Sequence, residues 1–175
     1  PKNPLIESSW VHTYQNLVIT TPAPPIVLPD YLRQPVAEEI KRLAQNYPGN
    51  IEKRCALYLR NKGGGNSSSA RSGSSFEDYL PAIRKIIEAK YQVLVYGDRR
   101  IPSAILDEFK GALVDTASMN AVSQIAMLFA ASESDVLIGE AGGGAQICMV
   151  NSLPTLLLNS FPFGSQFLGG TIYFK

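Results

Sequence analysis

Histidine and cysteine are scarce in these 175 residues: one histidine, His12, and two cysteines, Cys55 and Cys148. A zinc centre needs several such ligands at close spacing, so no metal site is expected. Both cysteines sit inside apolar runs, which reads as two buried free thiols in a reducing compartment and places the chain in the cytoplasm. Charge of one sign is also missing. Sixteen Lys and Arg against fifteen Asp and Glu leave +1, without the basic excess that nucleic acid or an anionic membrane surface demands. No apolar run approaches the roughly 20 residues that span a bilayer, so no transmembrane segment is expected, and no signal peptide is visible. The chain opens at Pro1 without methionine and stops in "GGTIYFK", an apolar pattern with no closing element. A piece of a longer protein is expected.

What is present suits one sizeable core. Hydrophobic residues make up 45%, enough for a chain of this length to bury about 70% of its unfolded surface. Residues 1–30 read as an irregular connector, or the remnant of a preceding domain. "TTPAPPIVLPD" holds four of the twelve prolines, and proline removes backbone donors. Within this segment "LVIT" (17–20) is a candidate short strand. A single domain is expected over 31–175. It opens with a helix at 31–47, capped by Asp30, in which Leu32, Val36, Ile40, Leu43 and Tyr47 recur at helical spacing.

From Arg54 a rhythm sets in. Apolar runs at 55–60, 92–97, 111–115, 135–139 and 154–158 predict strands. The segments 76–90, 102–109, 120–132 and 145–152 predict helices between them, with Pro81 best placed in a first turn and Asn120 as a cap. Strands apolar on both faces and alternating with helices predict an α/β Rossmann-like sandwich, a parallel sheet of at least five strands with helices on both faces.

Ligands of such sheets bind outside the carboxyl ends of the strands. Arg60 and Asn61 end the first predicted strand, Gly97 and Asp98 the second, Asp115 the third, Gly139 and Glu140 the fourth, Asn159 and Ser160 the fifth. Arg60 suits a bidentate grip on phosphate; its alternative is an ion pair with Asp98 or Asp115. "GEAGGGAQ" (139–146) brings Gly142, Gly143 and Gly144 to a helix start, where backbone N–H groups attract anions. The alternative there is a tight turn. Neither GxGxxG nor a GK[ST] phosphate loop is matched. Ser118 and Asn120 read first as caps. His12 lies outside the rhythm and reads as ordinary packing. The low-complexity segment Gly63–Ser75 leaves the same edge of the sheet, either to close over a ligand or as a plain insertion.

"YLRNKGG", "SFEDYLPAIRKIIEAKYQVLVYGD", "LVDTASMN" and "SDVLIGEAGGGAQICMVNSLPTLLLNSFP", taken together over about Ile26–Pro162, resemble a group of bacterial glycosyltransferases of the GT-B type, distantly fucosyltransferase-like. The likeness lies in the second, donor-binding half of that two-domain fold. It departs in a longer, serine-rich loop after "LRN" and in "GEAGGGA", where a serine commonly precedes the second glycine. The resemblance implies a nucleotide-sugar donor, GDP- or UDP-linked, used as substrate with no further cofactor. It makes Arg60 the catalytic candidate, gripping the diphosphate. It puts Asp115 and Ser118 near base or ribose and Gly142, Gly143 and Gly144 near the phosphates, while Asn61, Asp98 and Glu140 are donor-side candidates from their places at the strand ends. It also implies an acceptor-binding domain in the same longer chain. Two rival expectations are a non-catalytic nucleotide- or sugar-binding module and a structural or interaction domain of a larger assembly.

Overall fold

A computed structural model describes residues 25–60, 75–119, 123–140, 143–151, 153–158 and 171–173. Six strands form one all-parallel sheet: β1 (Lys53–Leu59), β2 (Tyr91–Gly97), β3 (Leu113–Asp115), β4 (Val136–Glu140), β5 (Thr155–Leu158) and β6 (Thr171–Tyr173). Among the described residues five α-helices accompany them: α1 (Asp30–Ala44), α2 (Leu80–Glu88), α3 (Ser103–Phe109), α4 (Ser123–Ser132) and α5 (Gly143–Val150). The spatial order is β3-β2-β1-β4-β5-β6. The sheet is thus built outward in one direction from β1, then crosses back and is built outward in the other. This is the order of a Rossmann fold, and it opens a crevice between the carboxyl ends of β1 and β4. The sixth strand comes from the terminal "TIY" run, beyond the five expected.

Side chains alternate across the sheet with period two. Leu57, Leu59, Val93 and Val95 pack with Ile83 and Ile87 of α2 and Phe109 of α3. Ala56, Tyr58, Leu94 and Tyr96 pack on the other face with Val36 and Ile40 of α1, Phe129 of α4 and Cys148 of α5. The two helices between β1 and β3 cover one face, and α1 covers the other together with the helices that follow β3. Right-handed crossovers dictate that arrangement when the direction of building changes.

Several local expectations are corrected. Asp30 does not cap α1. Pro29 holds the cap position, and Asp30 lies in the first turn without a side-chain capping bond, its charge still favourable to the helix dipole. The helix expected at 76–90 is a 3-10 turn at Glu77–Tyr79 followed by α2. Pro81 has no N–H and sits in the first turn of α2, where none is required. β3 begins two residues later than expected, because Lys110 (φ 45°) and Gly111 (φ 90°) are left-handed and turn the chain after α3. His12, "LVIT", Asn61, Gly63–Ser74, Asn120, Gly142, Asn159 and Ser160 lie outside the described residues.

Candidate functional site at the strand switch point

The crevice is made by the ends of the two central strands. β1 pairs with β2 as far as Leu59 opposite Gly97, and with β4 as far as Tyr58 opposite Gly139. Arg60 therefore stands one residue beyond the last rung with β2 and two beyond the last rung with β4. Its N–H donates to Glu140 Oε2 at 2.9 Å, and its carbonyl accepts from Arg99 Nη2 at 2.7 Å. Glu140 Oε1 accepts from the Tyr79 hydroxyl at 2.8 Å. Glu140 and Arg99 are both buried, and the Arg99 guanidinium carbon lies 6.0 Å from the centre of the Tyr79 ring. The Asp98 N–H donates to the Leu59 carbonyl at 3.2 Å, which ties the end of β2 to the end of β1.

Tyr58 and Tyr96 form the floor, with ring centroids 5.1 Å apart. The Tyr96 hydroxyl donates to the Gly144 carbonyl at 2.8 Å and lies 3.2 Å from Cys148 Sγ. Burial raises the Tyr58 phenol above its ordinary pKa. The Gly144 N–H and the Arg60 charge oppose that shift, while Asp98 and Glu140 reinforce it. Arg60, Asp98 and Glu140, from three neighbouring strand ends, are thus all close enough to influence one phenol.

Gly144 has a packing reason of its own. A Cβ there would fall on the Tyr58 ring, with Cδ2 at 2.7 Å and Cζ at 2.8 Å. The missing side chain lets α5 lie close on β1, whatever the same glycine does for an anion. Gly144→Ala is expected to destabilise the protein by about 1–3 kcal/mol, the usual cost of overpacking. Urea unfolding checks it, and pairing the change with Tyr58→Leu should recover part of the loss.

Asp115 and Ser118 stand apart from this group. β3 is an edge strand two positions from β1, roughly 10 Å away at ordinary strand spacing. Asp115 is buried. It accepts from the Ala117 N–H at 3.0 Å and the Ile101 N–H at 3.5 Å, with Arg100 Nη1 at 3.9 Å. The Ser118 hydroxyl donates back to the Asp115 carbonyl at 2.8 Å; it closes a 3-10 turn over Thr116–Ser118, whose cap is Asp115, and does not itself cap a helix start. Both residues line a cleft of about 340 Å³ beside β3, together with Leu43, Leu106 and Lys110.

Tyr79 and Arg99 were not legible as site residues. Tyr79 reads as one more apolar position before a helix, and Arg99 as half of an ordinary "RR" surface pair. Among the described residues no group of three His, Cys, Asp or Glu side chains could hold a metal ion. Nor, among them, is any helix long and apolar enough to cross a membrane.

No protein-family model matches the chain, and no curated protein matches it. Solved structures do. The crystal structure of a glycosyl transferase family 9 protein from Veillonella parvula is similar with a TM-score of 0.54 and 13% identity, over 88% of this chain and 43% of that one. A structure of the wall teichoic acid polymerase TagF is similar with a TM-score of 0.46 and 18% identity, over 71% of this chain and 28% of that one. The chain spans less than half the length of either. At these identities the likeness concerns the fold alone: an α/β Rossmann-like domain with a parallel sheet, as the sequence led us to expect, shared with the family 9 glycosyl transferase structure.

Proposed function

We propose that this chain is the donor-binding half of a GT-B-type glycosyltransferase and that it takes a nucleotide sugar in the crevice between β1 and β4. The observation that carries the reading is the reversal of strand order at β1, which brings Arg60, Asp98 and Glu140 to the ends of three neighbouring strands. Ligands of open parallel sheets bind at this point, and the family 9 glycosyltransferase shares the fold. In the proposed reaction the acceptor oxygen displaces the nucleoside diphosphate from the anomeric carbon. Negative charge grows on the leaving diphosphate, and the Arg60 guanidinium with backbone N–H groups at the start of α5 stabilises it. A separate domain of a longer chain would supply the acceptor site and the base.

Arg60→Ala is expected to weaken GDP or UDP binding about ten- to a hundred-fold while the fold survives. That is what losing one charged hydrogen bond, about 1.5–3 kcal/mol, amounts to. Calorimetric titration of the protein with its acceptor domain, with circular dichroism as the folding control, checks it. A folded wild type that binds neither nucleotide at millimolar concentration overturns the proposal.

One observation favours a second reading. The carboxylates of Glu140 and Asp115 already accept hydrogen bonds from within the domain, as they would if the strand ends were merely braced. A structural domain of a larger assembly predicts no nucleotide binding by either protein and a loss of stability in Arg60→Ala.

A further inference from the structure

Arg60 lies past the end of both ladders that hold β1. The terminal residue of a strand ordinarily frays, since its N–H and C=O have no rung to join. Here each has a buried charged partner: the Glu140 carboxylate on the N–H and the Arg99 guanidinium on the C=O. Glu140 is 5% exposed, and a carboxylate so far from water is costly unless it is hydrogen-bonded. Arg60 and Tyr79 meet that need, one on each oxygen. Two side chains thus extend the order of β1 by one residue, at the residue that carries the guanidinium.

We propose that Glu140, with Arg99 opposite it, is a positioning residue that clamps the Arg60 peptide at the switch point, so that the guanidinium is presented to the ligand from a fixed backbone. The ligand half of this inference rests on the proposed nucleotide site. It assigns Glu140 no direct contact with the donor. A carboxylate that faced a diphosphate would repel it, whereas one spent on Arg60 and Tyr79 serves the site through them.

Glu140→Gln separates geometry from charge. Its amide oxygen can accept from the Arg60 N–H, and its NH₂ can donate to the Tyr79 hydroxyl, which both gives and accepts. Glu140→Ala keeps neither bond. Two readouts are taken on the protein with its acceptor domain: exchange of the Arg60 amide relative to that of Leu57, and titration with GDP and UDP. In Glu140→Ala, Arg60 exchange should rise and nucleotide affinity fall, each by about ten-fold or more, as for loss of a charged hydrogen bond. In Glu140→Gln both should stay within about three-fold of wild type. Tyr79→Phe removes one of the two donors and should speed Arg60 exchange about two- to ten-fold, so the clamp is still tested if Glu140→Ala does not fold. If Arg60 exchange is unchanged in Glu140→Ala, or in Tyr79→Phe where the alanine variant is unfolded, the clamp is overturned. If Glu140→Gln loses affinity as fully as Glu140→Ala, the carboxylate touches the ligand and the assignment is overturned. A wild type that binds neither nucleotide overturns the proposed function, and Arg60 exchange then decides the clamp by itself.

Discussion

Gly97→Ala is expected to cost about 3–5 kcal/mol, a large share of the roughly 5–15 kcal/mol that holds a domain together. Gly97 closes β2 with φ at +117°, a conformation that costs an L side chain about 1–3 kcal/mol. A Cβ there would also overlap the Leu59 carbonyl oxygen, and it would stand 3.2 Å from the Tyr58 ring. That oxygen is part of the backbone and accepts from the Asp98 N–H, so it cannot swing aside as a flexible side chain could. Overpacking of this kind adds about 1–3 kcal/mol. Equilibrium urea unfolding of wild type and variant checks the figure. A loss under about 1 kcal/mol would mean that the chain escapes the left-handed conformation by another route. The site should suffer as well, because Asp98 and Arg99 follow directly and depend on this bend for their approach to the end of β1.

The second large effect appears at alkaline pH. Burial pushes the Cys55 thiol up to about 12 and the Cys148 thiol up to about 11; for Cys148 the Tyr96 hydroxyl partly offsets it. Unfolded cysteine titrates near 8.5. Because the folded pKa is the higher, the stabilisation is fully present below about pH 8.5 and is lost as pH rises toward the folded values. Between these limits the unfolded state has released a proton that the folded state keeps. Each thiol should then remove roughly 1 kcal/mol of stability per pH unit. Unfolding free energies measured in urea at pH 7, 9 and 10 should fall ever more steeply. Cys55→Ala should flatten the decline by about one proton, whatever the substitution costs at neutral pH. An equal slope in the two proteins would show that Cys55 meets water in the folded state. Tyr58 and Tyr96, both raised chiefly by burial, extend the same decline above about pH 10.

The strands were legible because a parallel strand buried on both faces has to be apolar throughout. "CALYL" carries that mark in five residues and "VLVY" in four, and the helices between them carry the 3.6-residue spacing. Arg60, Asp98, Asp115 and Glu140 were legible as strand-end residues for the same local reason, since each is the first charge after an apolar run. Residues 25–30 and the start of α2 show the limit of local reading. Asp30 looks like a cap, but the chain enters α1 through Pro29, and the segment before it is held by Ile26 pairing with Asn151, 125 residues away.

By itself, then, the sequence determined the α/β class, the five principal strands and which residues would stand at one edge of the sheet, because periodicity and the first charge after a run are properties of neighbouring residues. Only the tertiary structure decided that β1 lies between β2 and β4, that "TIY" adds a sixth strand, and that Asp115 is carried out to an edge while Glu140 is carried to the centre. Strand order depends on which hydrogen-bonding edges meet after crossovers tens of residues long, and no local pattern records it. The partners of Arg60 follow from that order alone: Glu140 reaches it because β4 is its neighbour, and Arg99 because β2 is the other.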